Sequence, residues 1–90
     1  MLNYLHYEFD AGPEDVLEVT LKGGANVLLL DEENFEKYKA GYQHKATQGG
    51  WAKVSPVHFV PPHVGHWHVV IDRGGYAGRV AASVRQLANT

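Results

Sequence analysis

Gly65-His66-Trp67-His68-Val69-Val70-Ile71-Asp72 reads as the strongest strand in the chain. Side chains alternate faces along a strand, so Trp67, Val69 and Ile71 share one face and His66, His68, Val70 and Asp72 share the other. Pro61-Pro62 forces an extended break before this run, and Arg73-Gly74-Gly75 supplies a turn after it.

The same period of two recurs on either side. Residues 3–9 set Leu5, Tyr7 and Phe9 against His6 and Glu8, and residues 15–21 set Leu17, Val19 and Leu21 against Glu18 and Thr20. Residues 26–30 read as a short, fully apolar strand. Residues 54–60 resume the alternation with Val57 and Phe59 inward, and Pro56 marks an edge or a strand start. Residues 79–87 close the chain with Val80, Ala82 and Val84 inward. Residues 41–50 are polar and read as a loop or a weak edge strand. Gly74-Gly75-Tyr76-Ala77-Gly78 lies between two strands, so it reads as a tight hairpin and not as a phosphate-binding loop, which needs a helix N-terminus.

One segment departs from the strand pattern. Asp31 is a helix cap, Glu32 and Glu33 occupy the first turn, Lys37 and Lys39 the last, and Gly41 follows as a stop. Phe35 and Tyr38 share one side. The expected architecture is all-β: a small antiparallel sandwich or flattened barrel of six to seven strands in one domain spanning residues 1–90, with one short helix near residues 32–40.

Composition narrows the function. The 90 residues carry 8 Lys+Arg against 10 Asp+Glu, a net charge of −2, so nucleic acid is not the expected partner. No apolar run is long enough for a membrane span, and the first ten residues lack the basic start and apolar core of a signal peptide, so a cytoplasmic location is expected. The chain has no cysteine, which removes disulfides, thiolate ligands and cysteine nucleophiles. Neither Ser55 nor Ser83 lies in a nucleophile elbow. Charge is uneven: nine of the ten acids lie in residues 1–45, and only Asp72 lies beyond. Interleaving of strands from the two halves would erase that asymmetry.

The unusual number is six histidines. His66 and His68 share a strand face and His63 lies at its mouth. Two imidazoles at i and i+2 can chelate one ion, and three with an open position form a catalytic zinc pattern. Asp72 stands about 13 Å along the strand from His68, too far to join the same ion. Another ligand must come from a neighbouring strand, His58 or His6. Whether His58, His63, His66 and His68 converge depends on strand order. By position alone His66 and His68 read as solvent-facing, His6 as an exposed strand position and His44 as part of a polar loop. The run also resembles, in part, the cupin signature of His-x-His followed by an acid. Val60 stands where that signature has glycine, and its second motif is missing.

Three stretches are similar to a known family: Leu5-His6-Tyr7-Glu8-Phe9, then Ala25-Asn26-Val27-Leu28-Leu29-Leu30-Asp31 with Asn34-Phe35, then Gly65 to Asp72 with Gly74-Gly75-Tyr76. Val54-Ser55-Pro56-Val57 fits as well. The chain resembles the bacterial domain-of-unknown-function family 1883 over nearly its whole length. The resemblance implies a compact, mostly β domain, found alone or joined to a TIR signalling domain, in a cytoplasmic bacterial setting. It brings no established activity and no catalytic residues.

The expected function is therefore a non-enzymatic interaction or sensing module. Its binding face would comprise His63, His66 and His68 with Arg73 and Tyr76, would use no cofactor, and would meet a protein or small-molecule partner. The alternative is a metal-binding protein or metal-dependent enzyme holding zinc or another divalent metal through His63, His66 and His68. A further alternative is self-association through edge strands into a homodimer.

Overall fold

The structure is a computed structural model describing residues 4–74 and 80–89. Seven strands and one helix follow in the order β1 (Tyr4–Ala11), β2 (Asp15–Leu21), β3 (Ala25–Leu30), α1 (Glu32–Ala40), β4 (Gln48–Ala52), β5 (Val57–Phe59), β6 (Gly65–Asp72) and β7 (Ala82–Ala88). They form two antiparallel sheets, one ordered β1-β6-β3-β4 and the other β5-β2-β7. The sheets do not close into a barrel, so of the two expected architectures the sandwich is the one formed.

The inward residues of the alternating strands meet between the sheets. Leu17, Val19 and Leu21 of β2 pack against Val27 and Leu29 of β3 and Trp67, Val69 and Ile71 of β6, with Phe59 closing one side. Trp67 is buried, and its indole N–H donates to the His63 carbonyl at 3.1 Å, so the ring enters the core without an unmet donor. Strands from both halves of the chain alternate in each sheet, as β1-β6-β3 shows.

The opposite face of β3 and β6 is also covered. Leu28, Leu30 and Val70 form a second apolar layer with Phe35 and Tyr38 of α1. This explains why residues 26–30 read as apolar on both faces. The helix is set by local chemistry: the Asp31 carboxylate accepts from the Asn34 backbone N–H at 2.9 Å, and Gly41 ends it at φ 81°, a left-handed conformation that glycine adopts without a Cβ clash. On the covered face Tyr38 donates to the Asp72 carboxylate at 2.5 Å, and the same carboxylate accepts from the Gly74 N–H at 2.7 Å. Burial and that bond together push the Tyr38 phenol far above its ordinary range.

One expectation shifts. The strand expected over residues 54–60 shrinks to Val57–Phe59, because Pro56 offers no N–H for pairing. Of the two readings of residues 41–50, the edge strand is formed at the end of the segment, where residues 48–52 make β4 against β3. The hairpin expected around Gly75 to Gly78 lies outside the described residues.

A candidate metal centre under the helix

The site arises from register. In the β1–β6 ladder Glu8 faces His68, Asp10 faces His66 and His6 faces Val70. On its other side His68 faces Leu30 of β3. His6, Glu8, Asp10, His66 and His68 therefore stand on one face of neighbouring strands, where opposed Cβ atoms lie about 5 Å apart. Helix α1 lies over part of this face. His68, read from sequence as solvent-facing, is 1% exposed, whereas His66, two residues nearer the strand start, stays exposed. His6 is half-buried rather than open.

A chain of short contacts runs through His68. Its Nε2 lies 2.8 Å from Glu32 Oε2, and its Nδ1 lies 2.8 Å from His6 Nε2. A carboxylate only accepts, so His68 Nε2 carries hydrogen. In the neutral ring the lone pair is then on Nδ1, and His6 Nε2–H donates to it. Glu8 Oε1 lies 3.9 Å from the same Nδ1. The two imidazoles are close to coplanar, 17° apart. The Phe35 ring stacks on both, 4.1 Å from His6 and 4.2 Å from His68 between centroids. Burial, followed by the neighbouring His68, lowers the His6 pKa from its ordinary value.

His66 is engaged differently. Its Nδ1 bonds Asp10 at 2.9 Å and its Nε2 bonds Glu8 at 2.8 Å. These two bonds, Asp10 first, push its pKa up to about 9. The bond from His66 in turn holds the Glu8 carboxyl below the usual carboxylate range. His66 thus bridges the two acids of edge strand β1 through its two ring nitrogens.

Among the described residues, two groups bring ligand atoms within 4.8 Å of one another: His6, Glu8 and His68, and Glu32, His66 and His68. A metal-bound imidazole offers one nitrogen lone pair and donates its other N–H to a carboxylate or carbonyl. His68 meets that requirement in the first group, with Nδ1 toward His6 and Glu8 and Nε2–H on Glu32. In the second group both His66 nitrogens are already bonded to acids.

The other histidines lie elsewhere. His63 is exposed at the strand mouth, its Nδ1–H on the Val64 carbonyl and its ring against Trp67, which belongs to the opposite face of β6. His58 is on the other sheet and bonds Glu18 at 3.1 Å. His44 bonds the Tyr42 carbonyl. Arg73 follows the far end of β6, about 16 Å of strand beyond His68. Tyr76 lies outside the described residues. The structure thus joins His66 and His68 as expected, and it separates His63 and Arg73 from them. It brings in His6, named from sequence as one of two neighbours, together with Glu8 and Glu32, which the sequence reading passed over. The available signal was the alternation of His6, Glu8 and Asp10, polar along one whole face of β1.

The family model Domain of unknown function (DUF1883) matches residues 2–90. The chain belongs to this family. No curated protein and no solved structure matches the DUF1883 chain. Among its described residues no helix is long and apolar enough to cross a membrane.

Proposed function

We propose that this DUF1883 chain is a non-enzymatic recognition module built on a divalent transition-metal site of the zinc class. Its ligands are His6 Nε2, His68 Nδ1 and the Glu8 carboxylate. The observation that carries this reading is the pair of imidazole nitrogens 2.8 Å apart on neighbouring strands, with a carboxylate 3.9 Å from one of them.

In the metal-free protein one hydrogen lies between those nitrogens. A divalent ion takes its place, and His6 passes to its Nδ1–H tautomer, so that the neutral ring offers the Nε2 lone pair and no net proton is lost. Zinc–nitrogen bonds of about 2.0–2.1 Å in a tetrahedral site put the nitrogens roughly 3.3 Å apart. The two rings then separate by about 0.5 Å, a shift within reach of χ rotations under the flat Phe35 ring. Two neutral imidazoles favour zinc, nickel, cobalt or copper over magnesium and calcium, which prefer all-oxygen sites. Three protein ligands leave a fourth position for water or for a donor atom on a partner.

Calorimetric titration of tag-free protein with zinc at neutral pH should give one ion per chain. His6→Ala and His68→Leu should each weaken binding at least tenfold while leaving far-UV circular dichroism unchanged, since leucine fills the buried site with no polar atom to satisfy. His58→Ala and His63→Ala should bind as the parent does. Substoichiometric zinc, or binding indifferent to His6 and His68, would overturn the reading.

A further inference from the structure

Helix α1 opens with a run of acids, and each has a different engagement. The Asp31 carboxylate caps the helix, accepting from both the backbone and side-chain nitrogens of Asn34 at 2.9 Å. Glu33 pairs with Lys37 at 3.9 Å, and Glu36 with Lys39 at 2.9 Å. Glu32 alone among them reaches the sheet, where it meets His68 Nε2 at 2.8 Å. Its side chain is 61% exposed, so it delivers a carboxylate to a buried ring without itself leaving water. One turn later, Phe35 lies 5° from parallel to the His68 ring. Glu32 therefore fixes rotation of that ring within its plane, and Phe35 fixes its tilt.

Resting on the reading of His6, Glu8 and His68 as ligands, we propose that Glu32 is the positioning residue of the site: it holds His68 as the Nε2–H tautomer, aims the Nδ1 lone pair at the ion, and so couples metal affinity to the docking of α1. A carboxylate behind a metal-bound histidine raises the basicity of the ligating nitrogen and restricts its orientation. Coupling of this kind is reciprocal, so an ion on Nδ1 strengthens the hold of Glu32 on Nε2 by the same factor that Glu32 strengthens the hold on the ion. The helix thereby becomes the element that reports occupancy to anything bound on its outer side.

The test uses the full chain, with Glu32→Ala, Glu32→Gln and, as a control, Glu33→Ala. In metal-free protein, long-range proton–nitrogen NMR of His68 should show the Nε2–H tautomer in the parent and the control, and a shift toward Nδ1–H in Glu32→Ala. Zinc affinity should fall about 10–100-fold in Glu32→Ala, the size typical of losing such a supporting carboxylate. Glu32→Gln should recover part of it, because its amide oxygen still accepts. Zinc should slow amide exchange across α1 in the parent and less so in Glu32→Ala. An unchanged tautomer with parent-like affinity in Glu32→Ala overturns the proposal, as does complete loss of binding, which would make Glu32 itself a ligand. Failure of the parent to bind zinc would instead sink the ligand reading and the coupling with it. The tautomer measurement still decides, on its own, whether Glu32 orients His68.

Discussion

Glu18 sits between two bases on the outer face of the smaller sheet, its carboxylate 2.7 Å from Arg85 Nε and 3.1 Å from His58 Nε2. Its neighbours in the two ladders are those same residues. The bond from Arg85, then the one from His58, holds its pKa below the ordinary carboxylate value. A group whose folded pKa lies below its unfolded pKa contributes stability above the unfolded value, and that contribution disappears as pH falls through the folded one. Arg85→Ala should raise the Glu18 pKa measured by carbon NMR and flatten the loss of melting temperature on acidification below about pH 4.5. The same titration in both proteins would contradict this. At this scale sequence is a partial guide. Alternation put His66 and His68 on one face, as found, but it assigns faces and says nothing of what covers them. His68 is buried because β3 continues directly into a helix that folds back over β6.

Elements defined by local chemistry were fully legible, whereas an element defined by its partner was legible only as one of two readings. Helix α1 announces itself through Asp31, the charge order of its turns and Gly41, all of which act within the segment. Strand β4 has no such signal. Gln48-Gly49-Gly50-Trp51-Ala52 lacks apolar alternation, and it is a strand because β3 offers an open ladder beside it. Gly49 is what permits the approach: its φ is 120°, and a Cβ there would stand 2.1 Å from the Val27 carbonyl oxygen. Gly49→Ala should destabilise the protein by roughly 2–4 kcal/mol, the combined scale of a strained backbone and an overpacked contact. Gly50→Ala shares the backbone strain, at φ 148°, but its Cβ meets nothing within 4 Å, so it should cost less than Gly49→Ala. Urea unfolding of both variants compares them, and equal losses would contradict the account of β4.

In the whole molecule the two seams of the sandwich are closed by side chains. On the β4–β5 side, Gln48 Nε2 donates to the Val60 carbonyl at 2.6 Å and Gln48 Oε1 accepts from the Val60 N–H at 3.3 Å. On the β1–β7 side, Gln86 Nε2 donates to the Asp10 carbonyl at 3.0 Å and the Tyr7 hydroxyl donates to the Ala82 carbonyl at 3.3 Å. Unsatisfied edge groups invite pairing with another chain, so these bonds oppose it. Light scattering should give a concentration-independent monomer mass for the parent and a rising mass for the Gln48→Ala, Gln86→Ala double variant; a parent dimer at low concentration would contradict this. Strand order was the least legible property, because it rests on contacts between distant segments, and it is also what creates the site. Only the β1-β6-β3 order brings His6 and Glu8 from the start of the chain beside His68 and sets α1 above them. The site is tested most directly by anomalous scattering at the zinc edge from a crystal of zinc-loaded protein. The expected result is one peak between His6 Nε2 and His68 Nδ1, about 2.0–2.1 Å from each. A peak placed elsewhere, or none at one ion per chain, would contradict it.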